Sequence, residues 1–284
     1  MKIKSLLALV FFISLTVKAQ SLLINKFPIK ENYLTLTRAA QPNQYMDKIG
    51  SKAALLGTES GSFEMWIWPW KVLRNFEIQF FVGTTTQPIL ARDILRDITV
   101  TPEATTLTFV YESFTVKEII FIPHDRPGAI ILLDVHTTTP LTIVPGFMPV
   151  MQPQWPAGIG GQYSYWDDGI KAYVISESQQ RGLFLCGSHV AQQMAAPPAN
   201  MFADNPIQFK FDVKPGEAKD KFYPIVIAGS PVKTKYDSVK TLYKNILANI
   251  ETHYKKTFEY YKNLRNSTME IITPDEKLNL TFEY

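Results

Sequence analysis

From Ile207 to Val213 the chain alternates: Ile207, Phe209, Phe211 and Val213 are apolar, while Gln208, Lys210 and Asp212 are polar. Successive side chains of a strand point to opposite faces, so this run predicts a β-strand with one buried and one wet face. Further β-type runs are Leu34 to Thr37, Phe76 to Val82, Thr106 to Tyr111, Phe114 to Ile122, Ala129 to Val135, Lys171 to Ile175, Leu183 to Cys186 and Ile225 to Ala228. Phe80 to Val82 and Ile130 to Leu133 are denser in apolar residues, as expected of central strands covered on both faces. Pro123, Pro127, Pro215 and several glycines fall between the runs. No convincing helical period interrupts Leu34 to Gly229, so the expected fold is all-β, a large antiparallel β-sandwich.

The period changes after Pro231. Val239, Leu242, Tyr243, Ile246, Ile250, Tyr254, Phe258 and Tyr261 recur three or four residues apart, which predicts one amphipathic helix of about seven turns. Asp237 or Ser238 would cap its start. Its apolar stripe can pack on the chain's own sandwich, or it can also serve a domain that follows. Thr273-Pro-Asp-Glu276 reads as a second helix start, with Thr273 at the N-cap, Pro274 at N1 and Glu276 at N3. Leu278 and Phe282 begin a stripe there, and the sequence stops at Tyr284. A helix this short is marginal alone, so the sequence reads as truncated inside a helical domain. The expected organisation is a sandwich over residues 20–232, a linker helix region over 233–270, and the start of that helical domain over 271–284.

Residues 1–19 carry a different pattern. Lys2 and Lys4 precede a nearly continuous apolar run from Leu6 to Val17, and Val17 and Ala19 stand at −3 and −1 of a cleavage site before Gln20. This is the layout of a secretory signal peptide, and the apolar run is too short for a span of about 20 residues. The chain is therefore expected to be exported, periplasmic or secreted, without a membrane anchor after cleavage. Cleavage removes Lys2, Lys4 and Lys18 from 29 basic residues and none of the 26 acidic ones, leaving a formally neutral chain. That argues against nucleic acid, whose binding depends on clustered cations. Cys186 is the single cysteine, so no disulfide forms within the chain, and its apolar setting suggests a buried, inert thiol.

Two stretches could carry chemistry. In Gly57 to Lys71, Trp66, Trp68 and Trp70 alternate, which on one strand would turn all three to one face. Such a face is either a core layer or a stacking platform for a flat ligand such as a pyranose ring. Pro69 favours an edge or a loop and tilts Trp70 towards exposure. Pro149 to Gly169 reads as an irregular loop decorated by Trp155, Tyr163, Tyr165 and Trp166, closed by a hairpin turn at Asp167-Asp168-Gly169. Glu59 and Glu64 are the carboxylates that could face a ligand, but glycoside hydrolysis needs two held a fixed distance across a cleft. The sequence places no such pair. His124, His136, His189 and His253 show no metal-ligand spacing, so neither a metal nor a cofactor is expected.

Gly61-Ser-Phe-Glu-Met-Trp-Ile-Trp-Pro-Trp-Lys-Val-Leu-Arg-Asn-Phe76 and Trp155-Pro-Ala-Gly-Ile-Gly-Gly-Gln-Tyr163 resemble the N-terminal domain of bacterial glycogen-debranching, amylo-α-1,6-glucosidase-like proteins. Thr273-Pro-Asp-Glu-Lys-Leu-Asn279 resembles the first barrel helix of the same proteins. The resemblance implies an N-terminal supersandwich, a linker helix and then an (α/α)6 barrel that carries the catalytic carboxylates. No position here matches those carboxylates, so no catalytic residue is assigned.

On chemistry rather than family precedent, the candidate carbohydrate-binding residues are Trp68, Trp70, Trp155, Tyr163 and Trp166. The leading expectation is a non-catalytic portion of an exported glycoside hydrolase acting on α-glucans or related oligosaccharides. Its partners would be an oligosaccharide or polysaccharide and the missing C-terminal helical barrel. The alternatives are a free-standing carbohydrate-binding module and a structural or interaction protein of the envelope.

Overall fold

The computed structural model describes residues 23–29, 34–154, 161–195 and 206–283. The signal-peptide pattern of residues 1–19 lies outside them. The first strands are β1 (Ile24–Asn25), β2 (Leu36–Ala39), β3 (Tyr45–Ile49), β4 (Ala53–Thr58), β5 (Phe63–Ile67) and β6 (Trp70–Val82). After β7 (Ile89–Leu90) and the single turn α1 (Ala91–Ile94) come β8 (Leu95–Val100), β9 (Thr105–Tyr111), β10 (Phe114–Phe121), β11 (Gly128–Thr137) and β12 (Leu141–Pro153). The series closes with β13 (Gln162–Asp167), β14 (Ala172–Glu177), β15 (Leu183–Gly187), β16 (Gln192–Ala195), β17 (Ile207–Val213) and β18 (Lys221–Ser230). Helices α2 (Tyr236–Ala248), α3 (Ile250–Asn266) and α4 (Glu276–Glu283) follow.

Two antiparallel sheets result. One has ten strands in the order β13-β14-β15-β18-β11-β10-β9-β8-β2, with β1 also paired to β18. The other has eight in the order β16-β17-β12-β6-β5-β4-β3, with β7 paired to β6. Their facing sides share one core, to which β17 contributes Ile207, Phe209, Phe211 and Val213, as the alternation requires. In β11, Ala129, Ile131, Leu133 and Val135 enter this core. Ile130 and Leu132 enter a second core, on the outer face of the ten-stranded sheet. That is why Ile130 to Leu133 reads as a continuous apolar run: both faces of the strand are covered.

The second core is closed by helices. Val239, Tyr243, Ile246, Ile250 and Tyr254 bury the predicted stripe on this face, so within the described residues the stripe packs on its own sandwich. Two details differ from expectation. The helix breaks at Asn249, whose φ −127°, ψ 27° is non-helical, and its N-cap is Lys235, with no side-chain cap bond from Asp237 or Ser238. The start of α4 also shifts. Asp275 Oδ1 accepts from the backbone N–H of Lys277 (2.9 Å) and Leu278 (3.2 Å), so Asp275 rather than Thr273 is the cap. Thr273 instead accepts from Asp275 N and donates to Asn279 Oδ1.

The stretch from Pro149 is not wholly a loop. β12 runs on to Pro153, and Gln162 to Asp167 is strand. Prolines hid β12 from a sequence reading. Pro149 and Pro153 pair with β6 beyond Phe147, the last β12 residue paired to β17, so one side needs no donor there.

Candidate functional site

The β5–β6 hairpin decides where the tryptophans go. Ile67 pairs with Trp70, leaving Trp68 and Pro69 as the turn, and the peptide between those two is cis. Cross-strand partners share a face, so Trp70 turns inward with Ile67. It is 4% exposed, and its indole N–H donates to Pro231 O at 3.0 Å. The expected exposure of Trp70 is therefore overturned: the chain reverses between Trp68 and Trp70, and the alternation of a single strand does not apply. Trp66, paired with Lys71, lies on the outer face and stacks on Trp68 with ring centroids 5.4 Å apart. Lys71 Nζ sits 5.2 Å above the Trp66 ring and 2.7 Å from Glu64, which also accepts the Trp66 indole N–H at 2.7 Å. Trp68 is 36% exposed.

The second aromatic stretch reaches the same end of the sandwich. Gln154 N donates to Pro69 O at 2.8 Å, and Gln162 Nε2 donates to Pro149 O at 2.8 Å. The β14–β15 turn closes the corner: Arg181 lies 5.6 Å over the Trp70 ring, and a Cβ at Gly182 would come within 3.3 Å of that ring. Arg181 also anchors Glu177, which is buried and accepts from the backbone N–H of Arg181 (2.5 Å) and Gln179 (2.9 Å). Burial opposes its charge, but these bonds and the guanidinium hold its pKa below the usual value.

The remaining candidates divide. Tyr163 and Tyr165 project from one face of β13, 39% and 45% exposed, with centroids 6.4 Å apart. Trp166 points the other way, edge-on to Tyr173 at 5.0 Å, at the border of the inter-sheet core. Trp155 lies outside the described residues. Trp68 and Tyr163 thus stand at one end of the sandwich, whereas Trp70 and Trp166 face inward. Asp167 Oδ1 accepts from Gly169 N at 2.7 Å, and Asp167 also binds the Tyr236 hydroxyl and lies 3.6 Å from Lys240. It joins the turn to α2. Cys186 is fully buried, and burial pushes its thiol pKa up. Among the described residues no group of three or more His, Cys, Asp or Glu side chains could hold a metal ion.

A larger concavity lies elsewhere and was not legible in the sequence. Edge strands β2 and β3, the β8–β9 turn and the segment after α3 enclose a groove of about 1180 Å³. At one end Arg38 clasps buried Glu59 with two bonds of 2.5 and 2.8 Å, and Glu59 also accepts from Gln41 N at 2.9 Å. At the other, Lys48 donates to Thr101 O at 2.7 Å, and burial lowers its pKa to about 8. Tyr45, exposed at 89%, stands on the rim.

The fold defines a class: a double-sheet antiparallel sandwich with a helical layer on the larger sheet. No family model matches the sequence, and no curated protein matches it. Among solved structures the chain is similar to a bacterial glucoamylase complexed with acarbose, with a TM-score of 0.53 at 9% identity over 84% of this chain and 40% of that one. It is also similar to a putative kojibiose phosphorylase from the human microbiome, with a TM-score of 0.44 at 6% identity over 80% of this chain and 31% of that one. A third is a family GH92 inverting mannosidase from Bacteroides thetaiotaomicron, with a TM-score of 0.46 at 11% identity over 87% of this chain and 34% of that one. At such identities the glucoamylase likeness establishes the fold alone. The chain spans well under half the length of each neighbour.

Proposed function

We propose that the chain is the non-catalytic N-terminal sandwich of an exported glycoside hydrolase acting on α-glucans or related oligosaccharides, and that it packs on a catalytic helical barrel and shapes the rim of its active site. The observation that carries this is the similarity in fold of 84% of this chain to 40% of a bacterial glucoamylase. The carboxylates fit a non-catalytic role. Glu59 is clasped by Arg38, Glu64 is held by Lys71 and Trp66, and Glu177 is closed in by its own turn. Leu264, Met269, Ile272, Leu278 and Phe282 leave an apolar face at the end of the chain on which a barrel could pack. The debranching resemblance and the signal-peptide pattern narrow the reading to an exported α-glucan enzyme.

The test is to express the whole product of the source locus beside residues 20–284 and assay both on maltooligosaccharides and a branched glucan. Hydrolysis by the longer product, and none by the shorter, is the expected result. A locus that encodes neither a longer product nor an adjacent barrel would sink the proposal. A second reading, a carbohydrate-binding module, is favoured by the partly exposed Trp66–Trp68 stack. It requires an oligosaccharide affinity of residues 20–284 that Trp68→Ala abolishes.

A further inference from the structure

We infer that the outer face of the eight-stranded sheet carries a site for a neutral oligosaccharide, running from Gln152 across Lys71 to Trp66 and ending on the exposed ring of Trp68. This rests on the carbohydrate-binding reading of the Trp66–Trp68 stack and adds to it the polar partners, the direction of the chain and the class of ligand. Strand register sets the row. Gln152 on β12 pairs with Lys71 on β6, and Lys71 with Trp66 on β5. Cross-strand partners share a face. Met65 and Ile67 take the core side of β5, so Trp66 and its two partners stand side by side on the outer one. A bulge between Pro149 and Gln152 keeps Met151 in the core and turns Gln152 out to solvent. From Gln152 to Trp66 is two strand spacings, about 10 Å, room for more than one sugar ring.

The row is fixed by the protein's own bonds. The turn that presents Trp68 is tied on both sides: Trp68 N donates to Lys52 O at 3.1 Å, just ahead of β4, and Gln154 N donates to Pro69 O at 2.8 Å, just after β12. Glu64 accepts the Trp66 indole N–H and pairs with the Lys71 ammonium, each at 2.7 Å, which holds three side chains in one arrangement. An indole that stays 36% exposed on so constrained a turn loses little freedom when a pyranose stacks on it. The polar groups suit hydroxyls. Lys71 has three donors, of which Glu64 takes one, and the Gln152 amide both donates and accepts. Lys71 and Glu64 cancel in charge, so the pair sets up no net field that would select a phosphate or carboxylate. An apolar chain laid along the row would desolvate this ion pair without replacing its hydrogen bonds to water.

The chain without residues 1–19 is titrated calorimetrically with maltose to maltoheptaose and with adenosine, beside Trp68→Ala, Lys71→Met and Gln152→Ala. Gln152→Ala alters an exposed side chain, and thermal melting checks that all three variants are folded. The expected result is saturable binding of the sugars that tightens beyond maltose and is lost in Trp68→Ala. It should weaken about fivefold in Lys71→Met and in Gln152→Ala, as for one hydrogen bond each. Loss in Trp68→Ala with parental affinity in the other two overturns the row and leaves the binding-module reading standing. No saturable heat with any of the sugars overturns the row and that reading together. Adenosine binding more tightly than maltoheptaose overturns the class of ligand, since a flat base then fills the stack.

Discussion

The carboxyl of Glu118 lies between the two sheets, cross-strand from Leu107 and Leu133, with neither oxygen hydrogen-bonded. Burial pushes its pKa from an ordinary 4.5 up to about 8. Between those values the folded chain holds a proton that the unfolded chain has released, so this group lowers stability as pH rises from 4.5 to about 8, and the loss then levels off. The full effect is on the order of 5 kcal/mol. Glu118→Gln should remove that slope, so that urea midpoints at pH 5 and pH 8.5 lie closer together than in the parent; an unchanged difference would contradict the assignment. The tryptophans give a second contrast. Trp70 fills the core end, so Trp70→Ala should cost about 3–5 kcal/mol. Trp68→Ala, at a partly exposed turn, should cost about 1 kcal/mol or less. Denaturant unfolding of the pair checks this ordering.

At the scale of elements, period was a reliable guide where one face of a strand met water and the other met the core. Ile207 to Val213 was legible for that reason. β12 was not, because Pro145, Pro149 and Pro153 read as breakers, and only the reach of β17 shows which of its residues need no second partner. The helical stripe was legible, but its break at Asn249 was not, since no proline or glycine marks it. The cap of α4 was misplaced because Thr273 and Asp275 are both good capping residues, and only geometry separates them. Asp275→Ala should therefore fray α4, costing about 1 kcal/mol locally. Faster amide exchange over residues 276–283, with the strands unaffected, is the expected outcome.

Over the whole molecule, the ten-stranded sheet is apolar on both faces across strands β10, β11, β18, β15 and β14, and the eight-stranded sheet largely on one. The outer face of the larger sheet includes Phe121, Ile130, Leu132, Val174, Leu185 and Val226, all covered beneath α2 and α3. An exposed apolar patch of that kind promotes association. Deleting residues 236–284 should yield an aggregating or dye-binding sandwich rather than a soluble one, read by size-exclusion chromatography and hydrophobic-dye fluorescence. A monodisperse product that binds no dye would mean that the helices are dispensable to the fold.

Local pattern by itself determined the strand-rich class, the faces of strands such as β17 and the apolar stripe of the linker helices, because hydrophobic period follows directly from which side chains can leave water. It also placed the two aromatic stretches worth examining. Tertiary structure decided that Trp68 faces solvent and Trp70 the core, because a turn reverses the meaning of alternation. It alone assembled the groove, whose polar groups come from Arg38, Lys48, Glu59 and Thr105 on different strands and turns. No spacing along the chain encodes their approach, since strand pairing and the stacking of two sheets bring them together.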